Sequence, residues 1–152
     1  MVRETVAAGQ FYSNDFGELD KELERCFESE RGPGAIPLSK RDKKIHTIIV
    51  PHAGYQFSGA CAAWAYKELG ESRIPKAYIL LGPNHHGVGT GLSIEDWRTP
   101  FGLIKSEKNI IRDLKEKTDL QIKEQHHIAE HSLEVQLPFL QFVNKDRMKE
   151  IR

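Results

Sequence analysis

Seven histidines occur in this chain, and five of them, His52, His85, His86, His127 and His131, fall at the starts or ends of predicted elements rather than on their faces. Neutral imidazole is the commonest transition-metal ligand, and a mononuclear site needs two or three such donors converging from separate segments, with one position left open for chemistry. His52 and His85 are the best-placed pair. Each follows an apolar run and a proline, in Ile48-Ile-Val-Pro-His52-Ala-Gly-Tyr-Gln-Phe-Ser58 and in Ala77-Tyr-Ile-Leu-Leu81-Gly-Pro-Asn-His85-His86. No HExxH or CxxC pattern is present, so the spacing alone does not distinguish ligation from a second role, in which these rings cap strand ends or bond loop carbonyls. His86 suits that second role better, because adjacent residues leaving a strand point to opposite sides.

The stretch His126-His-Ile-Ala-Glu130-His131-Ser-Leu-Glu134 offers a general acid or base at His131, with its pKa raised into the useful range by the neighbouring Glu130 carboxylate. The competing role is a helix N-terminus at which Glu130 is favoured by the dipole. Tyr55 and Phe57 are candidates either for the wall of a pocket or for plain core. Asn84 lies in the same turn as His85 and His86. Ser58 lacks the GxSxG elbow, and Ser132 is too close in sequence to His131 to pair with it as a nucleophile, which argues against a serine hydrolase. The glycine run Gly87-Val-Gly-Thr-Gly91 lacks the following helix that a dinucleotide site requires.

The elements that must position these groups follow from periodicity. Ser13-Asn-Asp15 caps a helix over 15–29, with Phe16, Leu19, Leu23, Cys26 and Phe27 inward. A glycine- and proline-rich turn and a basic loop precede a strand over 46–50, whose β-branched residues on both faces predict burial on both sides. A helix over 59–69 and a second strand over 77–81 complete a candidate right-handed βαβ unit. In a parallel sheet of that kind ligands gather beyond the carboxyl ends of the strands, where His52 and His85 both emerge. Residues 92–94 and 102–105 predict a hairpin-like pair, 107–117 a helix with Ile110, Ile111 and Leu114 inward, and 120–123 an edge strand. Ser132 is a candidate N-cap, but Pro138 forces the helix there either to start later or to kink. The fold class is therefore α/β, a mixed and largely parallel sheet with flanking helices, in one domain over 1–152.

Composition bounds the remainder. The 152 residues are 39% hydrophobic and 29% charged, ordinary for a globular domain, and 22 basic residues balance 22 acidic ones. No net field favours nucleic acid or an anionic membrane. No apolar run approaches a membrane span and no apolar core of a signal peptide follows Met1, so a cytoplasmic protein is expected. Cys26 and Cys61 sit on separate predicted helices without CxxC spacing and are expected to be small buried hydrophobes.

Four stretches, Ala8-Gly-Gln-Phe-Tyr12, Pro51-His-Ala-Gly-Tyr55, Leu81-Gly-Pro-Asn-His-His86 and Glu130-His-Ser-Leu-Glu-Val-Gln-Leu-Pro138, occur in this order and together resemble the Memo family. The resemblance implies a fold similar to class III extradiol ring-cleaving dioxygenases, which are non-haem iron enzymes, and a pocket in which two histidines and a third ligand hold a metal. Matched motif by motif, the two histidines are His52 and His85. His131 matches a further histidine of the pocket, and Phe11 stands where some members carry tryptophan. The family's third ligand is a cysteine in a later part of a chain roughly twice this length, and neither Cys26 nor Cys61 matches it. The chain is thus expected to be an amino-terminal part of a longer domain, and on its own to self-associate or to lack a completing half.

Three function classes follow. The first is a metal-dependent oxidoreductase, or its non-catalytic descendant, with iron the expected metal and copper or zinc as alternatives. The second is a binding module for a small-molecule or peptide ligand in the same pocket. The third is metal-assisted hydrolysis, with Glu130 or His131 as the base.

Overall fold

The computed structural model describes residues 1–39 and 41–145. Its elements are β1 (Val2–Arg3), α1 (Phe16–Glu28), α2 (Tyr55–Gly70), β2 (Asp96–Thr99), β3 (Gly102–Ile104), α3 (Lys108–Lys117) and α4 (Leu137–Val143), with single 3-10 turns at Glu124–His126 and Glu134–Gln136. The class is α/β, with a small mixed sheet and four helices. The sheet runs β1-β2-β3: β1 lies parallel to β2 with Arg3 opposite Trp97, and β2 pairs antiparallel with β3 from Trp97↔Ile104 to Thr99↔Gly102. No helix among the described residues is long and apolar enough to cross a membrane.

The helices form where local chemistry dictates. Asp15 caps α1 by accepting the Glu18 N–H at 2.9 Å, and Leu19, Leu23, Cys26 and Phe27 recur on its buried face. α2 begins at Tyr55, a turn earlier than its apolar pattern predicts, directly after Gly54. The question raised by Pro138 resolves in favour of the later start: α4 begins at Leu137, so Pro138 occupies the first turn, where a missing N–H breaks no helical bond. Ser132 precedes a 3-10 turn instead of capping a continuous helix.

α1, α2 and α4 meet around Phe139. Its ring stacks on Tyr66 with centroids 4.7 Å apart and touches Tyr55 at 4.9 Å and Phe27 at 5.9 Å. Close approach of α1 and α2 depends on Gly59, where an added Cβ would lie 2.4 Å from the Cys26 sulfur. Cys26 is buried as expected, whereas Cys61 is exposed; both are free thiols. Burying side chains as large as these contributes about 1.5–3 kcal/mol each, so this three-helix junction is the main source of stability.

Several expectations are corrected. Segments 46–50 and 77–81 run without helical or ladder assignment among the described residues, so the sheet is not largely parallel and the βαβ unit is not closed. Nor are they buried on both sides: Ile48, Val50, Tyr78 and Leu80 pack against the core, while Ile49, Ile79 and Leu81 are 92%, 67% and 90% exposed. The residues that pack on the core alternate with exposed ones, and among the described residues neither segment has a ladder partner. The hairpin uses 96–99 as its first strand in place of 92–94, because Pro100 and Phe101 form its two-residue turn and Gly102 takes a positive φ of 119°. Segments 92–94 and 120–123 contribute only a single bridge, Leu92↔Ile122. α3 forms, yet none of its residues is buried. Ile111 and Leu114 instead face a cavity of about 640 Å³, across from Leu80, Leu133 and Leu137.

Candidate metal centre

Two turns and one staple build the site. His52 leaves the 46–50 segment just ahead of α2, and the Tyr55 N–H fixes this corner by donating to the Phe11 carbonyl at 2.8 Å. His85 leaves the 77–81 segment through Gly82-Pro83. Residues 130–136 fasten both turns. Gln136 Nε2 donates to the Pro51 carbonyl at 3.1 Å, Ser132 Oγ to the Pro83 carbonyl at 3.1 Å, and Glu130 accepts from the His85 backbone N–H at 2.6 Å. Gln136 is itself held by the Tyr66 hydroxyl at 2.8 Å, which connects the staple to the core.

The staple in turn hangs on a buried ion pair. Glu134 bonds Arg3 and accepts from the Ala7 N–H at 2.9 Å and the Tyr12 hydroxyl at 2.7 Å. Arg3 also donates to the carbonyls of His127 at 2.8 Å, Glu130 at 2.6 Å and Glu4 at 3.1 Å, and its guanidinium lies 4.2 Å from the Trp97 ring centroid. Every charge is matched, as burial at this depth requires. Sequence reasoning missed Arg3 and Glu134 as supports of the site. The available signal was a glutamate inside the apolar stretch Leu133–Leu140.

The result is convergence. His52, His85 and His131 each offer a ligand atom, and these atoms all lie within 4.8 Å of one another. The rings of His85 and His131 stack with centroids 4.7 Å apart; His52 stands 5.3 Å from His85 and 5.9 Å from His131. Phe11 closes one side, with its ring 4.5 Å from that of His131. Metal–imidazole bonds of about 2.0–2.1 Å in a tetrahedral site place nitrogens roughly 3.3 Å apart, so contraction by about 1.5 Å at most would seat an ion. Small side-chain rotations cover that distance. The donor set fits a transition metal.

Electrostatics set the protonation of the group. Burial raises the Glu130 carboxyl, but hydrogen bonds from the His85 backbone, the His85 ring and Ser132 outweigh it and hold the pKa at about 2. His131 is shifted downward by burial; Glu130 pulls it up, and the nearby His85, His52 and His86 push it down again. This reverses the expectation that Glu130 would raise it. A lowered pKa leaves His131 neutral near pH 7, the form that binds a metal.

Other candidates fall outside the cluster. Tyr55 belongs to the core: it is buried, its ring lies 5.4 Å from that of Tyr12, and its hydroxyl donates to the Val135 carbonyl at 2.6 Å. Phe57 is 80% exposed and is not part of the histidine cluster. His86 is exposed, and its backbone N–H is taken by Asn84 Oδ1 at 3.2 Å. Asn84 faces away toward His126 Nδ1 at 3.1 Å. His127 is buried with Nε2 3.1 Å from the Gly91 carbonyl.

Comparison with known proteins agrees with the motifs. A family model described as Memo-like protein matches residues 3–151. A MEMO1 family protein of Methanopyrus kandleri is 43% identical over 148 residues, covering 94% of this chain and 52% of the relative. Those of Sulfurisphaera tokodaii and Methanothermobacter thermautotrophicus are 42% and 39% identical, with 98% and 93% of this chain and 55% and 53% of the relatives covered. The chain spans about half the length of the curated relatives it matches.

Proposed function

The chain belongs to the Memo family, and from that premise we propose that His52, His85 and His131 hold a divalent transition metal in the service of oxidoreductase chemistry. The observation that carries the reading is the convergence of three imidazoles, from three separate segments, on one point. Imidazole donors suit iron, zinc and copper, and the dioxygenase-like fold that the Memo resemblance implies favours iron. When bound, such a metal supplies Lewis acidity and, for iron, redox capacity.

The chain's own residues do the rest. His52 and His85 present their rings from two turns that Gln136 and Ser132 keep in register. His131 is the third donor that the described residues bring to the cluster. Phe11 shields the His131 side from water. Glu130, ionised and buried, balances the positive charge that a bound ion brings. A small-molecule substrate enters from the open side, where the His85 side chain is 39% exposed.

Loading the chain with ferrous iron or with zinc, then following oxygen uptake with a panel of aromatic diols, tests the redox reading. Uptake with iron and none with zinc is expected. Zinc-supported hydrolysis would move the protein to the metal-assisted hydrolases, and ligand binding that survives chelation would make it a binding module.

A further inference from the structure

Glu130 lies against the histidine cluster with both carboxylate oxygens already hydrogen-bonded. Its Oε2 accepts the His85 backbone N–H at 2.6 Å, while Oε1 accepts the Ser132 N–H at 2.8 Å and contacts His85 Nδ1 at 2.9 Å. His131 Nδ1 stands 3.6 Å from Oε1, beyond hydrogen-bond length. The carboxylate is buried while the His85 ring reaches solvent. A carboxylate oxygen accepts, so a hydrogen bond across the 2.9 Å contact needs the proton on Nδ1, and in that tautomer the lone pair sits on Nε2 at the far end of the imidazole.

From this geometry we infer that Glu130 is a positioning residue, which locks His85 in the tautomer and orientation that present Nε2 to the metal, and which itself stays out of the ligand set. The inference rests on the metal reading above and adds the class of ion. Among the described residues the converging ligand atoms are all imidazole nitrogens, a donor type that favours zinc, copper or iron over magnesium, calcium or manganese. Carboxylate partners of this kind fix ring orientation and raise ligand basicity, and losing one weakens metal affinity roughly 10- to 100-fold. Glu130→Gln is the informative change. An amide has one oxygen and one NH2 group, so at least one of the three converging donors must meet another donor.

The test has two arms. Long-range proton–nitrogen correlation spectra of the metal-free chain report which nitrogen of His85 carries hydrogen. Nδ1–H is expected in the wild type, with a loss of that preference in Glu130→Gln. Titration with zinc and with magnesium gives the second readout: zinc binding weaker by roughly 10- to 100-fold in the variant and no magnesium binding in either. A wild-type His85 protonated at Nε2 would overturn the inference, as would a folded Glu130→Gln chain that binds zinc within about twofold of wild type. If the variant does not fold, the wild-type ring measurement decides alone. A wild-type chain that binds no zinc overturns the metal reading, while the ring measurement still judges the orienting role of Glu130.

Discussion

Glu130 shows how one side chain ties the site to stability. Its pKa of about 2 lies below the ordinary 4.5. A carboxyl depressed on folding stabilises the native state above the unfolded pKa, and that contribution fades as pH falls from about 4.5 through about 2. The shift corresponds to at most roughly 3.5 kcal/mol. Urea unfolding across this window should therefore show a steeper loss of stability in wild type than in Glu130→Gln, and parallel curves would refute the depressed pKa. The candidate donors were legible in the sequence because proline and glycine beside a histidine mark a chain that turns at an apolar run. The reversed shift of His131 was not, because it depends on burial and on His52 and His85, residues distant in sequence. Tyr55 and Phe57 show the same limit: a one-residue pattern at a helix start does not say which ring faces the core.

At the scale of elements, the α1–α2 contact is the most exposed to a small change. Gly59→Ala gains helix propensity of about 1 kcal/mol but drives a Cβ to 2.4 Å from the Cys26 sulfur. Overpacking of this kind costs about 1–3 kcal/mol. Thermal unfolding should show a net loss in Gly59→Ala, recovered in part by adding Cys26→Ala; additivity of the two changes would exclude the steric account. α1 was readable to within a residue because a capping aspartate and a one-sided apolar stripe coincide. The segments 46–50 and 77–81 were not, since a continuous β-branched run states a preference for extended backbone and leaves the number of covered faces to the rest of the fold. The first strand of the hairpin was displaced for a related reason: the two-residue Pro100-Phe101 turn sets the register, and local hydrophobicity does not.

For the molecule as a whole, Ile49, Ile79 and Leu81 form an apolar outer face on the very segments that deliver His52 and His85. Exposed apolar surface and strand-like backbone without partners favour association. Sedimentation of the chain should show a weight-average mass that rises with concentration and falls toward the monomer in an Ile79→Lys, Leu81→Lys variant; a wild-type monomer at all concentrations would count against a docking role for this face. The central claim concerns the cluster these segments carry, and metal titration of single-histidine variants tests it most directly. Ferrous iron, added anaerobically, should bind wild type and His46→Ala alike at one equivalent, and His52→Ala, His85→Ala and His131→Ala each at least roughly tenfold more weakly, as expected when one of three donors is lost. Equal binding by wild type and the three cluster variants would contradict a shared site.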